Sequence, residues 1–85
     1  MNMDIIHDKD NQRFYLETEG MESYVKYIKT EDSFNIISTY VPNPLEGRGI
    51  ASALVKEAYD YAESLGLMLV GSCSYAEIWL KRNKR

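Results

Sequence analysis

PLEGRGIASALVKEA, residues Pro44 to Ala58, places Gly47 and Gly49 around Arg48 and then runs into an Ala-rich apolar periodicity. Two glycines where a helix begins cost backbone entropy. A compensating use is at hand, because the first helical N–H groups have no intrahelical partner and the helix dipole adds about half a positive charge there. Glycines without side chains let a phosphate come close to those amides. The amides on offer are those of Gly47, Arg48, Gly49, Ile50, Ala51 and Ser52, with the Arg48 guanidinium as an extra charge. The plainer alternative is that Gly47 ends a loop and Gly49 permits close helix packing. Two known phosphate loops are excluded. There is no G-x-x-x-x-G-K-[ST], and the dinucleotide fingerprint lacks its third glycine because position 52 is Ser.

Downstream, Ile50, Leu54, Ala58, Tyr61 and Leu65 recur at threes and fours, with Val55 and Ala62 widening the stripe. This predicts a helix of about four turns. Lys56, Glu57, Asp60 and Glu63 fall on its other face, Lys56 and Asp60 at the pairing distance of four. Gly66 ends the helix. LMLVGS (67–72) then reads as a short strand, so uniformly apolar that both of its faces are expected to be covered. A second helix closes the chain, with Ala76, Trp79 and Leu80 directed inward.

Upstream, apolar and polar residues alternate at the period of strands. Two short strands flank a polar turn at Asp8 to Asn11, and Gly20 supplies the next turn. A third strand puts Tyr24, Lys26 and Ile28 on one side and Val25, Tyr27 and Lys29 on the other. The fourth, FNIISTYV, is stopped by Pro42 and Pro44. The order β-β-β-β-α-β-α predicts an α+β fold with an antiparallel four-strand meander.

At 85 residues the chain is expected to form a single domain spanning 1–85, with one core and a ligand groove at the surface rather than an enclosed pocket. The net charge is −3, and four of the ten basic residues lie in the last five positions. The remainder is acidic, which argues against nucleic-acid binding. A single cysteine, Cys73, excludes an internal disulfide and any Cys-based metal cluster. No apolar stretch nears the roughly 20 residues of a membrane span, and MNMDIIHDKD shows no signal-peptide pattern. A cytoplasmic, metal-free protein, monomeric or weakly dimeric, is expected.

The stretch from Val41 to Tyr75 resembles the small, single-domain branch of the GNAT acetyltransferases. That superfamily carries [RQ]-x-x-G-x-[GA], a turn after the fourth strand whose amides hold the pyrophosphate of acetyl-CoA. Glu46-Gly47-Arg48-Gly49-Ile50-Ala51 fills the frame, with Gly49 and Ala51 matching and Glu46 standing where Arg or Gln is usual. Val41, Leu45, Gly47, Gly49, Ile50 and Ala51, followed by Cys73 and Tyr75, match the pattern of the small branch.

The resemblance implies a compact GNAT-like fold in which the fifth strand splays from the fourth and the pantetheine arm lies in the gap. Val41 and its neighbours would pair with that arm, and Gly47 to Ser52 would hold the phosphates. The implied reaction is acetyl transfer from acetyl-CoA, as co-substrate, to an amine that the sequence leaves unnamed: protein, peptide or small molecule. A non-catalytic module that binds CoA or acyl-CoA is the alternative.

Three positions depart from the pattern or leave a role open. Leu80 falls where larger members carry a proton-donating tyrosine, and Tyr75 is the nearest substitute. Ser38 stands where the small branch usually has a histidine, while His7, the one histidine, lies on the first strand. Cys73 reads either as a thiol beside the acetyl group, activated by a helix N-terminus, or as a small buried residue. Trp79 and Tyr24, Tyr27, Tyr59 and Tyr61 read as packing residues. Lys81, Arg82 and Lys84 are the cations nearest in sequence for the nucleotide's additional phosphate.

Overall fold

The computed structural model describes residues 3–85. Alternating side chains form β1 (Ile6–Asp8), β2 (Arg13–Thr18), β3 (Met21–Lys29) and β4 (Ser33–Tyr40). Glu19 and Gly20 both have positive φ, 53° and 76°, and close the β2–β3 hairpin, whose inner pair is Thr18↔Met21. Successive positive-φ residues twist a two-residue turn in the sense that flanking strands require. After β4 come a short 3-10 turn at Asn43–Leu45, α1 (Ile50–Ser64), β5 (Met68–Gly71) and α2 (Ser74–Arg82). The sheet runs in the order β1-β2-β3-β4-β5. Its first four strands form the antiparallel meander, and β5 lies parallel to β4 from Ser33↔Met68 to Ile36↔Gly71. This is the α+β architecture that the period change at Ile50 foretells.

One face of the sheet carries the core. Phe14 and Leu16 of β2, Val25 and Tyr27 of β3, and Phe34 and Ile36 of β4 are buried there, beneath Ile50, Leu54, Val55, Ala58, Tyr59 and Ala62 of α1 and Ala76 and Trp79 of α2. The opposite face has no helix. Tyr24 and Tyr40 pair across it with ring centroids 5.4 Å apart.

That asymmetry corrects one expectation: β5 is not covered on both sides. Leu69 packs against the core, whereas Met68 is 66% exposed. The strand is an edge strand with helices on a single face. The α1 stripe is also rotated from its expected centre. Leu65 is 48% exposed because it falls just past the helix, where Gly66 N–H donates to Glu63 O and Leu67 N–H to Ala62 O. Those two bonds are the Schellman termination. Tyr59 takes the inward place, fully buried, its hydroxyl donating to Val70 O at 2.6 Å. Tyr61 and Leu80 are partly buried at the core margin.

Gly71 sets how closely α2 approaches the sheet. A Cβ there would stand 2.8 Å from Glu77 N and 2.9 Å from the Ala76 carbonyl carbon, both backbone atoms. Gly71→Ala must therefore push α2 outward, with an expected loss of about 1–3 kcal/mol. Ser23 offers the contrast. Its side chain is fully buried and its Oγ has no hydrogen-bond partner, so Ser23→Ala removes an unpaired hydroxyl and nothing else. Urea unfolding of both variants checks this: Gly71→Ala unfolds earlier, and Ser23→Ala at the same midpoint as the parent or later.

Candidate functional site

The site lies where β4 and β5 part. Their ladder ends at Ile36↔Gly71, and the Ile36 carbonyl accepts from both Ser72 N at 3.1 Å and Cys73 N at 3.4 Å. Beyond this point β4 continues to Tyr40 paired with β3 only. Just past the fork the β3–β4 register shifts, since Tyr27 faces Ile36 while Lys26 faces Ser38, leaving Ile37 as an extra residue on β4. A bulge exchanges the faces of everything that follows it. Ser38 therefore shares the bare face with Lys26, and Thr39, opposite Val25, turns towards the core side. Simple alternation along β4 predicts the reverse, so Thr39 went unnoticed in the sequence.

A groove of about 460 Å³ occupies the fork. Thr39, Val41 and Leu45 form one wall, Glu46, Gly47 and Gly49 the turn, Ile50, Ala51 and Ser52 the start of α1, and Tyr75 the opposite side. It is a surface groove, as a chain of this size allows. Gly49 caps α1 with φ 80° and Gly47 has φ 81°, both in the left-handed region that disfavours side chains. No side chain caps the helix. Among the described residues, the backbone N–H groups of 47 to 52 donate to no protein acceptor, the first intrahelical bond being Ala53 N to Gly49 O at 3.1 Å. Six successive unpaired donors thus lead into the positive end of α1.

Of the residues singled out in the sequence, the groove gathers Val41, Gly47, Gly49, Ile50, Ala51, Ser52 and Tyr75. Two stand apart from its lining. The Arg48 guanidinium is ion-paired with Glu19 on the β2–β3 turn. Cys73 lies behind the groove at the N-cap of α2. Its Sγ accepts from Ala76 N at 3.4 Å and touches Thr39 Oγ1 at 3.4 Å. Thr39 thereby links Cys73 to the wall. The Ser52 hydroxyl accepts from Trp79 Nε1 at 3.1 Å, tying the start of α1 to α2. Trp79 is a packing residue, as expected, with its indole N–H satisfied.

The basic tail lies elsewhere. Lys81 pairs with Glu77 within α2, and Arg85 folds back onto Asp60 at 2.8 Å and Glu63 at 3.3 Å. Lys56 pairs with Asp60 at 2.7 Å. Asp60 is held below the usual carboxylate range chiefly by that lysine, with Arg85 adding to it.

His7 is remote from the fork. It stacks on Phe14 at 3.9 Å, and its Nε2 shares a 2.7 Å hydrogen bond with Tyr27 Oη. Burial, then the charge of Lys9, lowers its pKa, against a smaller opposing effect of Asp8. A lowered folded-state pKa means that the unfolded chain binds the proton more readily. The contribution of neutral His7 is thus complete above about pH 6.5 and lost as pH falls through the folded value. Urea midpoints at pH 7.5 and 5.5 test this, with a larger drop expected for the parent than for His7→Gln.

Strands parting over the uncapped, glycine-led start of a helix, in the order β-β-β-β-α-β-α, define the GNAT architecture. The chain belongs to the GCN5-related N-acetyltransferase family, whose model matches residues 13–85. It is also similar to the NMR solution structure of a Staphylococcus aureus protein described as GCN5-like and proposed as an N-acetyltransferase. The TM-score is 0.74 at 25% identity, over 98% of this chain and 82% of the other. Family membership supports an acetyltransferase function.

Proposed function

We propose that the protein transfers an acetyl group from acetyl-CoA to an amine, with the groove at the β4–β5 fork as the site. The observation that carries this reading is the run of unpartnered N–H groups from Gly47 to Ser52, of whose residues Gly47, Gly49, Ile50, Ala51 and Ser52 line the groove. The diphosphate sits on those amides, and Val41 lies beside the arm as the next strand would. Pro42, which has no N–H, ends β4 at the groove's rim.

In the transfer, the lone pair of a neutral amine attacks the thioester carbonyl carbon. The C–S bond then breaks, and the thiolate takes up the proton that the amine nitrogen gives up. Tyr75, 40% exposed and part of the groove lining, would supply the hydroxyl that meets that thiolate. Cys73 has two readings: it positions the wall through Thr39, or its thiol accepts the acetyl group on the way to the amine. The bare sheet face leaves the acceptor side open to a protein or peptide amine as well as a small one. A non-catalytic CoA-binding module remains the second reading, favoured by the placement of the one histidine away from the groove.

Titration with coenzyme A, followed by amide chemical shifts, is expected to move residues 47 to 52. Gly49→Ala, strained at φ 80° with open space around its Cβ, is expected to weaken binding at least fivefold. Glu46→Gln, which removes an anion beside the diphosphate, strengthens it about threefold to tenfold. Unmoved signals at 47 to 52 overturn the reading.

A thiol-release assay against amines and peptides separates enzyme from binding module. Within it, Cys73→Ser keeps an acceptor at the N-cap while Cys73→Ala removes it. A nucleophilic thiol requires large losses in both variants. A positioning role predicts that Cys73→Ser keeps most of the turnover.

A further inference from the structure

A second concavity, of about 330 Å³, lies at the other end of the sheet and is lined by Lys9, Gln12, Tyr27, Lys29 and Tyr61. It is separated from the proposed acetyl-transfer groove by most of the length of α1, since Tyr61 is in the last turn of that helix and Ile50 begins it.

Its lining is unusual in an acidic chain, for it holds two ammonium groups, two phenols and an amide, and no carboxylate. Among the described residues neither Lys9 nor Lys29 has a carboxylate partner within ion-pair distance, whereas Lys56, Lys81, Arg13, Arg48 and Arg85 all do. Of the two acids that flank Lys9, Asp8 is turned to Asn11 Nδ2 at 2.9 Å and to Arg13, and Asp10 is exposed and does not line the cavity. Lys9 Nζ instead lies 5.8 Å from the centre of the Tyr61 ring.

Gln12 is fixed as a donor by its other contacts, and Tyr27 is one when His7 Nε2 carries the hydrogen. Gln12 has a left-handed backbone, φ 51°, uncommon for a residue with a side chain. Held there, its carbonyl accepts from Tyr27 N at 3.0 Å and its Oε1 from Lys29 N at 3.2 Å. The acceptors of Gln12 are thereby used, and its Nε2 hydrogens are left over. Tyr27 is oriented by the 2.7 Å bond to His7 Nε2. Burial, with Tyr61 next in effect, raises the pKa of Tyr27 and keeps its phenol protonated. With His7 donating, the Tyr27 hydrogen is free for the cavity.

From this geometry we infer a second binding site, for a small dianion with several acceptor oxygens, of the phosphate or dicarboxylate class. Lys9 and Lys29 supply the two charges, while Gln12 Nε2 and the hydroxyls of Tyr27 and Tyr61 supply directional hydrogen bonds. Charge-assisted contacts of this kind are stronger than neutral ones, and the cavity has no acid to compete with the ligand.

The test is an amide chemical-shift titration of the whole chain at pH 7.5 and constant ionic strength, in two arms, inorganic phosphate and succinate. The expected result is saturating movement of residues 9, 12, 27, 29 and 61 in at least one arm, and the arm that saturates more tightly names the class. The double variant Lys9→Gln/Lys29→Gln is expected to weaken that binding at least tenfold with the rest of the spectrum unchanged. Tyr61→Phe, which keeps the ring and removes one donor, serves as an independent second variant with a loss of about threefold. Absence of saturating movement in both arms overturns the site, as does equal binding by both variants. Movement confined to residues 47 to 52 also overturns it, because the phosphate would then be reporting the start of α1 alone.

Discussion

Everything at the proposed groove depends on the Ile36 carbonyl being the last acceptor that β4 offers to β5. Two successive N–H groups, Ser72 and Cys73, converge on that single oxygen. A parallel ladder needs evenly spaced bonds, and doubling two donors on one acceptor ends it. The Ile37 bulge lies immediately beyond and re-aims β4, so the strands cannot re-pair. Without the fork there would be no groove, and the free amides at the start of α1 would face a closed sheet.

The fork is stabilised from the core side rather than by its own hydrogen bonds. Tyr59 reaches from α1 to the Val70 carbonyl on β5, and Trp79 reaches from α2 to Ser52 at the start of α1. The indole lies 5.8 Å from the Tyr59 ring. Gly71 lets α2 settle directly on β5, which sets Cys73 and Tyr75 beside the opening. Backbone donors left free at the groove are thus compensated by side-chain bonds a few ångströms behind it. Buried polar groups with partners rigidify a core at little net cost. The result is a rigid frame around an unpaired strand edge and an uncapped helix.

A chain this small cannot cover both faces of a five-stranded sheet. Both helices are spent on one face, and the other keeps Tyr24, Tyr40, Ile28 and Ile37 in contact with solvent. Two electrostatic regions are separated along α1: unpaired donors at its N-terminus, and the lysines and phenols of the far cavity beside its last turns.

Local rules were enough to place the four-strand meander, the change of period at Ile50, the Gly66 stop and the glycine turn with its six amides. Each of these follows from a side-chain period of two or 3.6, or from a residue that only one backbone shape suits. The parts decided by tertiary structure are those where a partner outside the segment intervenes. The bulge at Ile37 has no residue signature, yet it exchanges the faces of Ser38 and Thr39. Arg48 of the glycine turn is ion-paired with Glu19, 29 residues away in sequence. β5 looks doubly covered because its residues are apolar, but whether a second layer exists depends on how many helices the chain can spare. Sequence patterns report what a segment can bury; which neighbour meets it, and from which side, is fixed only when the segments pack.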